Sequence, residues 1–103
     1  MQILRKKIPL PGSLGRVCPH PCEEDCRRQQ VEAPISIRNL KRWVADWEME
    51  HGVTLPELAP FSGKRVAIVG GGPAGLSAAY YLRIKGHGSV IYDQMPDLGG
   101  MLR

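Results

Sequence analysis

The chain has 103 residues, of which 43% are hydrophobic and 23% are charged, so it can form one small domain or parts of two. It has no apolar run of the roughly 20 residues that a membrane-spanning helix needs, and its first residues lack the apolar segment of a secretory signal. We therefore expect a cytoplasmic protein with no membrane partner. Its net charge is +4, but its basic residues are not interleaved with aromatic side chains, so nucleic-acid binding is not expected.

Residues 1–33 contain a proline-rich break and three cysteines, and we expect little regular structure there beyond a turn or two of helix. From Ile35 the hydrophobic residues recur with a helical period, which predicts a helix over residues 36–50 with Ser36 as its N-cap and Gly52 just after its end. The predicted core stripe of this helix comprises Ile37, Leu40, Val44 and Trp47, with Trp43 at its edge and Arg38, Lys41, Arg42 and Glu48 turned away.

The last 50 residues predict a linker followed by a strand, a helix and a second strand. Residues 53–63 carry two prolines and no periodicity, which is typical of a linker. Residues 66–69 are an apolar run of the kind found in strands buried on both faces, and the sequence GGGPAG follows directly. Residues 76–85 have a helical pattern that Gly86 ends, and residues 89–92 form a second strand that stops at Asp93. A β-α-β unit is therefore predicted.

The glycine-rich segment has the spacing Gly70-x-Gly72-x-x-Gly75 and lies between a strand and a helix, with Asp93 at the end of the next strand. This combination is typical of a dinucleotide-binding loop. Gly70 would permit the tight turn, Gly72 the approach of a pyrophosphate and Gly75 the close packing of helix on strand, while Pro73 suits a first helical turn. Asp93 would bind the adenosine ribose and repel a 2′-phosphate, which disfavours NADP at this site. The alternative is a glycine-rich turn beside a surface acid.

A second glycine pair, Gly99 and Gly100, follows Asp93 after five residues. The pair resembles the FAD-binding arm of glutathione-reductase-like flavoproteins, and this resemblance, rather than the spacing, implies FAD as the bound dinucleotide. The expected cofactor-binding residues are Gly70, Gly71, Gly72, Pro73, Ala74, Gly75, Asp93, Gln94, Gly99, Gly100 and Met101.

The three cysteines, Cys18, Cys22 and Cys26, are separated by three residues each, and an odd number of thiols within nine residues indicates metal binding rather than a disulfide framework. Three thiolates are one fewer than a 4Fe-4S cluster or a structural zinc ion usually takes. His20 could complete a zinc site of three cysteines and one histidine. Nearby basic residues favour the thiolate form: Arg16, Arg27 and Arg28.

Several segments together resemble one family: LGRVCPHPCEEDCRR, APISIRNLKRWVADW, KRVAIVGGGPAGLSAAYYLRIKGH and DLGGMLR. The chain is similar to the small (beta) subunit of glutamate synthase and its relatives, including the N-terminal part of dihydropyrimidine dehydrogenase. In that family a helical domain with two 4Fe-4S clusters precedes an FAD domain, into which an NADPH domain is inserted. The resemblance implies that the three cysteines are cluster ligands and that further cysteines lie upstream. Lys41 stands where some relatives supply a Gln or Glu ligand, and its ammonium group cannot bind iron.

The resemblance thus implies an α+β fragment with an iron-sulfur-type helical region (residues 1–52), a linker (53–63) and the start of a Rossmann-like FAD domain (64–103). Its parent would be an enzyme that passes electrons from NAD(P)H, bound outside this chain, through FAD to 4Fe-4S clusters and a redox partner subunit or domain. We expect no catalytic acid, base or nucleophile in this stretch, and an inactive isolated chain. The alternative function is a non-catalytic interaction module with a zinc-binding or metal-free cysteine loop.

Overall fold

The computed structural model describes residues 1–103, which form two compact units, Met1–Thr54 and Leu55–Arg103. The first unit is helical, and the second contains a two-stranded parallel sheet. This mixture of helix and strand confirms the predicted α+β fold class. None of the helices combines the length and the hydrophobicity that crossing a bilayer requires.

The first unit contains more helix than the sequence predicted. Its elements are α1 (Gln2–Arg5), α2 (Pro11–Val17), α3 (Pro21–Glu24), a 3-10 helix (Arg27–Gln30) and α4 (Ile37–His51). The expectation of little regular structure in residues 1–33 is therefore wrong. Pro11 and Pro21 are each the first residue of a helix, where the missing N–H has no intrahelical partner and the fixed φ angle favours the helical conformation.

Helix α4 lies where it was predicted but buries a different face. Ala45 and Glu48 are its buried residues, each 3% exposed, whereas Ile37, Leu40 and Trp47 of the predicted core stripe are 38%, 54% and 50% exposed. The predicted stripe is therefore wrong for this chain. The reason is that α2 packs against α4, and the face that α2 covers is the one that carries Ala45 and not the one that carries the tryptophans.

Glu48, predicted to face solvent, is buried because Arg5 supplies a countercharge. Arg5 Nη2 donates a hydrogen bond of 2.5 Å to Glu48 Oε2, and the backbone N–H of Thr54 donates to Oε1 over 3.4 Å. The Arg5 bond is the main reason that the pKa of Glu48 lies below its usual value. The ion pair thus links the first helix of the unit to the last.

Close packing between α2 and α4 depends on Gly15. A Cβ atom at this position would lie 2.8 Å from the Cα of Arg42, so a side chain would push the two helices apart. Gly12, in the same helix, has no heavy atom within 4 Å of the corresponding point. The two glycines therefore differ in packing although they share one short helix.

The second unit contains, in chain order, strand β1 (Arg65–Val69), helix α5 (Pro73–Ile84), strand β2 (Gly88–Tyr92) and a 3-10 helix (Gly100–Leu102). The strands are parallel, with Val69 of β1 opposite Tyr92 of β2, so both strands end at the same edge of the sheet. The predicted β-α-β unit is confirmed by this order, and α5 begins at Pro73 rather than at residue 76. Parallel strands joined by a helix are the elementary unit of Rossmann-like folds.

The segment predicted as a linker is attached to the second unit. The N–H of Ala59 donates to the carbonyl oxygen of Ile84, and the N–H of Ser62 donates to that of Gly86, both over 2.9 Å. Residues 59–62 therefore lie against the turn that joins α5 to β2, and the compact second unit starts at Leu55.

Replacing Gly15 with alanine should destabilise the first unit by about 1–3 kcal/mol, because the added methyl group overlaps the backbone of α4. The matched substitution Gly12→Ala should be neutral or stabilising by up to about 1 kcal/mol, because alanine has the higher helix propensity and open space receives its side chain. Urea unfolding followed by far-ultraviolet circular dichroism measures both changes. Equal stability of the two variants would contradict the proposed packing role of Gly15.

Candidate functional site

The glycine-rich segment forms a sharp bend between β1 and α5. Gly70 has a φ of 101°, in the left-handed region that favours glycine, and its N–H donates to the carbonyl oxygen of Tyr92 over 2.8 Å. A Cβ atom at Gly75 would overlap the carbonyl oxygen of Gly70 and approach Ile68 to 3.2 Å. The helix can start directly above the strand only because Gly75 has no side chain.

The bend leaves backbone N–H groups without acceptors. The backbone N–H groups of Gly72, Ala74 and Gly75 donate no hydrogen bond within the chain. They lie at the start of the 12-residue helix α5. A Cβ atom at Gly72 would have no heavy atom within 4 Å, so the space beside it is open. Unpaired N–H groups and the positive end of the helix dipole favour an anion such as a diphosphate at this position.

Asp93 binds directly to this bend. Its Oδ2 accepts the N–H of Gly71 over 2.6 Å, and its Oδ1 accepts the N–H of Met95 over 2.8 Å. These bonds, the one from Met95 first and the one from Gly71 second, place the pKa of Asp93 below its usual value. An ionised carboxylate therefore lies beside the open end of the glycine bend.

A shallow cleft lies at the carboxyl ends of the two strands. Its volume is about 240 Å³, and its lining is Val69, Gly70, Tyr92, Asp93 and Gln94. Ligands of α/β sheets bind at the carboxyl ends of the strands, which is where this cleft is found. The cleft has room for a ribose but does not enclose a whole dinucleotide.

The second glycine pair folds back onto the first glycine segment. The N–H of Gly99 donates to the carbonyl oxygen of Gly71 over 2.8 Å, and a Cβ atom at Gly100 would lie 3.0 Å from the Cα of Gly72. The two glycine segments and Asp93 are therefore brought together. Leu98 also covers Gly71, and no sequence pattern pointed to it, because a single leucine in a loop carries no periodicity.

The cysteines lie at the ends of short helices. Cys18 follows α2, Cys22 is within α3, and Cys26 precedes the 3-10 helix. All three thiols are free; Cys22 is exposed and the other two are half-buried. No group of three or more cysteine, histidine or acidic side chains is arranged to hold a metal ion. The donor chemistry suits an iron-sulfur cluster, but these three sulfur atoms do not complete a site by themselves.

The basic residues near the cysteines are largely engaged by acids. Arg16 pairs with Asp46 over 2.8 Å, and Arg28 pairs with Glu32 one helical turn away. These ion pairs direct two of the three guanidinium groups that were expected to favour thiolates toward carboxylates instead. The bond from Arg16 is the main cause of the lowered pKa of Asp46.

Comparison with protein families agrees with both parts of this arrangement. The model of dihydropyrimidine dehydrogenase domain II, 4Fe-4S cluster, matches residues 1–53, which is more than half of the chain. The chain belongs to this 4Fe-4S family. A model described as an NAD(P)-binding Rossmann-like domain matches residues 68–103. The two descriptions agree with the predicted cofactor classes, a 4Fe-4S cluster followed by a dinucleotide.

Three curated relatives place this 4Fe-4S family member more closely. The chain is 47% identical to the NADPH-Fe(3+) oxidoreductase subunit beta of Geobacter sulfurreducens and 45% identical to the NADP(+)-dependent formate dehydrogenase subunit beta of Moorella thermoacetica. It is 38% identical to the glutamate synthase [NADPH] small chain of Bacillus subtilis. Each match covers 99% of this chain but only 16%, 18% and 21% of the respective relative. The resemblance to glutamate synthase small subunits is thus confirmed.

The low pKa of Asp93 predicts a pH-dependent contribution to stability. Because the folded-state pKa lies below the unfolded value of about 3.9, the ionised carboxylate stabilises the second unit above that pH. This contribution should disappear as the pH falls through the folded-state pKa. Urea unfolding should therefore show Asp93→Asn to be less stable than the wild type at pH 7, with the difference shrinking toward pH 3.

The control is Asp97→Asn, which removes an exposed ion pair with Arg103 and should change stability little. A difference between wild type and Asp93→Asn that is the same at both pH values would contradict the role assigned to the carboxylate.

Proposed function

We propose that this chain is part of a subunit of an NAD(P)H-dependent oxidoreductase that passes electrons from NAD(P)H through FAD to 4Fe-4S clusters. The observation that carries the proposal is the bend of residues 70–75, where unpaired N–H groups face an open space and Asp93 binds the adjacent backbone. The family of the first unit and the names of the relatives, which are oxidoreductase or dehydrogenase subunits, support it.

In this proposal the second unit holds the adenosine and diphosphate end of FAD. The N–H groups of Gly72, Ala74 and Gly75 bind the diphosphate, joined by those of Gly100 and Met101, which also donate to no acceptor in the chain. Asp93, with Gln94 beside it, binds the ribose in the cleft. FAD bound there would supply hydride-accepting and single-electron chemistry, and the residues of this chain would serve to place it.

In the first unit we assign Cys18, Cys22 and Cys26 as cluster ligands. The support is the chemistry of thiolate sulfur and the 4Fe-4S description of the family. A fourth ligand must come from another segment, because these three are the only cysteines of the chain. The free thiols also support a reducing, cytoplasmic location.

A partner subunit or domain is the proposed destination of the electrons. Relatives are named as subunits or as a small chain, so they assemble with other chains. These relatives are several times as long as this chain. For this chain we propose an iron-sulfur region over residues 1–52, a linker over residues 53–63 and an FAD-binding region over residues 64–103. No catalytic acid or base is assigned to either region.

Metal analysis of the chain purified without oxygen tests the first unit. With a small thiol added as the fourth ligand, we expect bound iron and sulfide with a broad absorption band at about 400 nm, and we expect Cys22→Ser to lower both. His20→Asn should leave the iron content unchanged, since histidine is not among the proposed ligands. Stoichiometric zinc without colour, lost in His20→Asn, would support the non-catalytic interaction module instead.

Calorimetry with FAD tests the second unit. We expect weak binding or none, because a cleft of about 240 Å³ encloses only part of the dinucleotide. Any binding detected should be lost in Gly72→Val, whose side chain occupies the open space where the diphosphate is placed. Tight, stoichiometric binding of FAD, or binding that Gly72→Val leaves unchanged, would contradict the proposed geometry.

A further inference from the structure

The cysteine segment, residues 18–26, is attached to the start of α4 by three hydrogen bonds. Glu23 Oε1 accepts the backbone N–H of Arg38 over 2.9 Å, and Arg38 Nη1 donates to the carbonyl oxygen of Cys18 over 3.3 Å. The N–H of Ile35 donates to the sulfur of Cys26 over 3.5 Å. The first and last cysteines and the acid between them are thus each bonded to residues 35–38, where α4 begins.

Glu23 supplies the cap that the sequence assigned to Ser36. Arg38 is the second residue of α4, and its N–H is one of those that the helix itself cannot satisfy. The side chain of Ser36 does not accept it, because Ser36 Oγ accepts a hydrogen bond from Asn39 Nδ2 over 2.9 Å instead. A carboxylate at this position also interacts favourably with the positive end of the helix dipole.

The Glu23 side chain is mostly buried, and its hydrogen bond to the N–H of Arg38 is the contact that holds it. Only 18% of it is exposed, and its second oxygen lies 3.4 Å from Nδ1 of His20. His20 has a positive φ of 50°, which is uncommon for a residue other than glycine and turns the chain between Cys18 and α3. The loop geometry therefore directs the carboxylate of Glu23 toward α4.

We propose that Glu23 and Arg38 are positioning residues for the three thiols, holding the cysteine segment on α4 in a shape that a cluster can bind. The inference rests on the proposed function of the cysteines as 4Fe-4S ligands. Helix α3 and the 3-10 helix have only four residues each, too few to keep the thiols in place without such contacts. Mutating a group that orients a metal ligand commonly lowers the affinity of the site for its metal by about tenfold or more.

The test compares Glu23→Ala with Glu24→Ala; Glu24 is a neighbouring acid whose side chain makes no hydrogen bond or ion pair with α4. In the metal-free chain, the backbone N–H of Arg38 should exchange its hydrogen with solvent at least about tenfold faster in Glu23→Ala than in the wild type. Its exchange rate should be unchanged in Glu24→Ala. After anaerobic reconstitution with iron and sulfide, Glu23→Ala should hold several-fold less iron than Glu24→Ala. Glu23→Gln keeps an acceptor oxygen and should restore most of both properties.

A second variant separates the two contacts of Arg38. Arg38→Met keeps the backbone N–H that Glu23 accepts but removes the bond to Cys18, so amide protection at position 38 should persist while the iron content falls. This result would also show that a folded α4 is not sufficient for cluster binding. Far-ultraviolet circular dichroism of each variant confirms that the helix remains.

The outcomes keep the two proposals apart. Equal iron content in Glu23→Ala and Glu24→Ala, or no rescue by Glu23→Gln, would overturn the positioning role while leaving the cysteines as ligands. A wild-type chain that takes up no iron, even when a small thiol is added as the fourth ligand, would overturn the proposed function and the positioning role together. In that case the exchange of the Arg38 amide would still decide whether Glu23 caps α4.

Discussion

The hydrogen bond between the carboxylate of Asp93 and the N–H of Gly71 is the contact on which the second unit depends. It joins the end of β2 to the bend that follows β1, and so fixes the two strand ends that form the cleft. The N–H of Gly71 donates to the acid, whereas those of Gly72, Ala74 and Gly75 stay available.

The first unit is organised by charge as much as by hydrophobic burial. Its buried residues are Pro11, Gly15, Ala45 and Glu48, and the glutamate is tolerated there because Arg5 accompanies it. Arg16 and Arg42 both pair with Asp46, and the pair with Arg16 links α2 to α4 at the surface. A unit with so little apolar interior gains much of its order from polar contacts, and this explains why the cysteine segment is also attached through a carboxylate.

The sequence predicted structure best where the interacting residues lie close together along the chain. About 30 residues contain the glycine motif, strands β1 and β2, and Asp93. The β-α-β unit could therefore be predicted from the sequence pattern alone. The face of α4 could not, because periodicity shows that a helix has an apolar stripe but not which neighbour covers which side. The cap from Glu23 was equally inaccessible, since the acid and Arg38 are 15 residues apart and only the folded loop brings them together.

The exposed tryptophans of α4 have a practical consequence for spectroscopy. Trp43 and Trp47 are the only tryptophans of the chain and both belong to the first unit, whereas Tyr80, Tyr81 and Tyr92, its only tyrosines, all belong to the second. Fluorescence excited at the long-wavelength edge of the tryptophan absorption band, where tyrosine does not absorb, therefore reports on the helical unit alone. Tyrosine absorbance, once the tryptophan contribution is subtracted, reports on the second unit, so the melting of each unit can be followed in one sample without an added label.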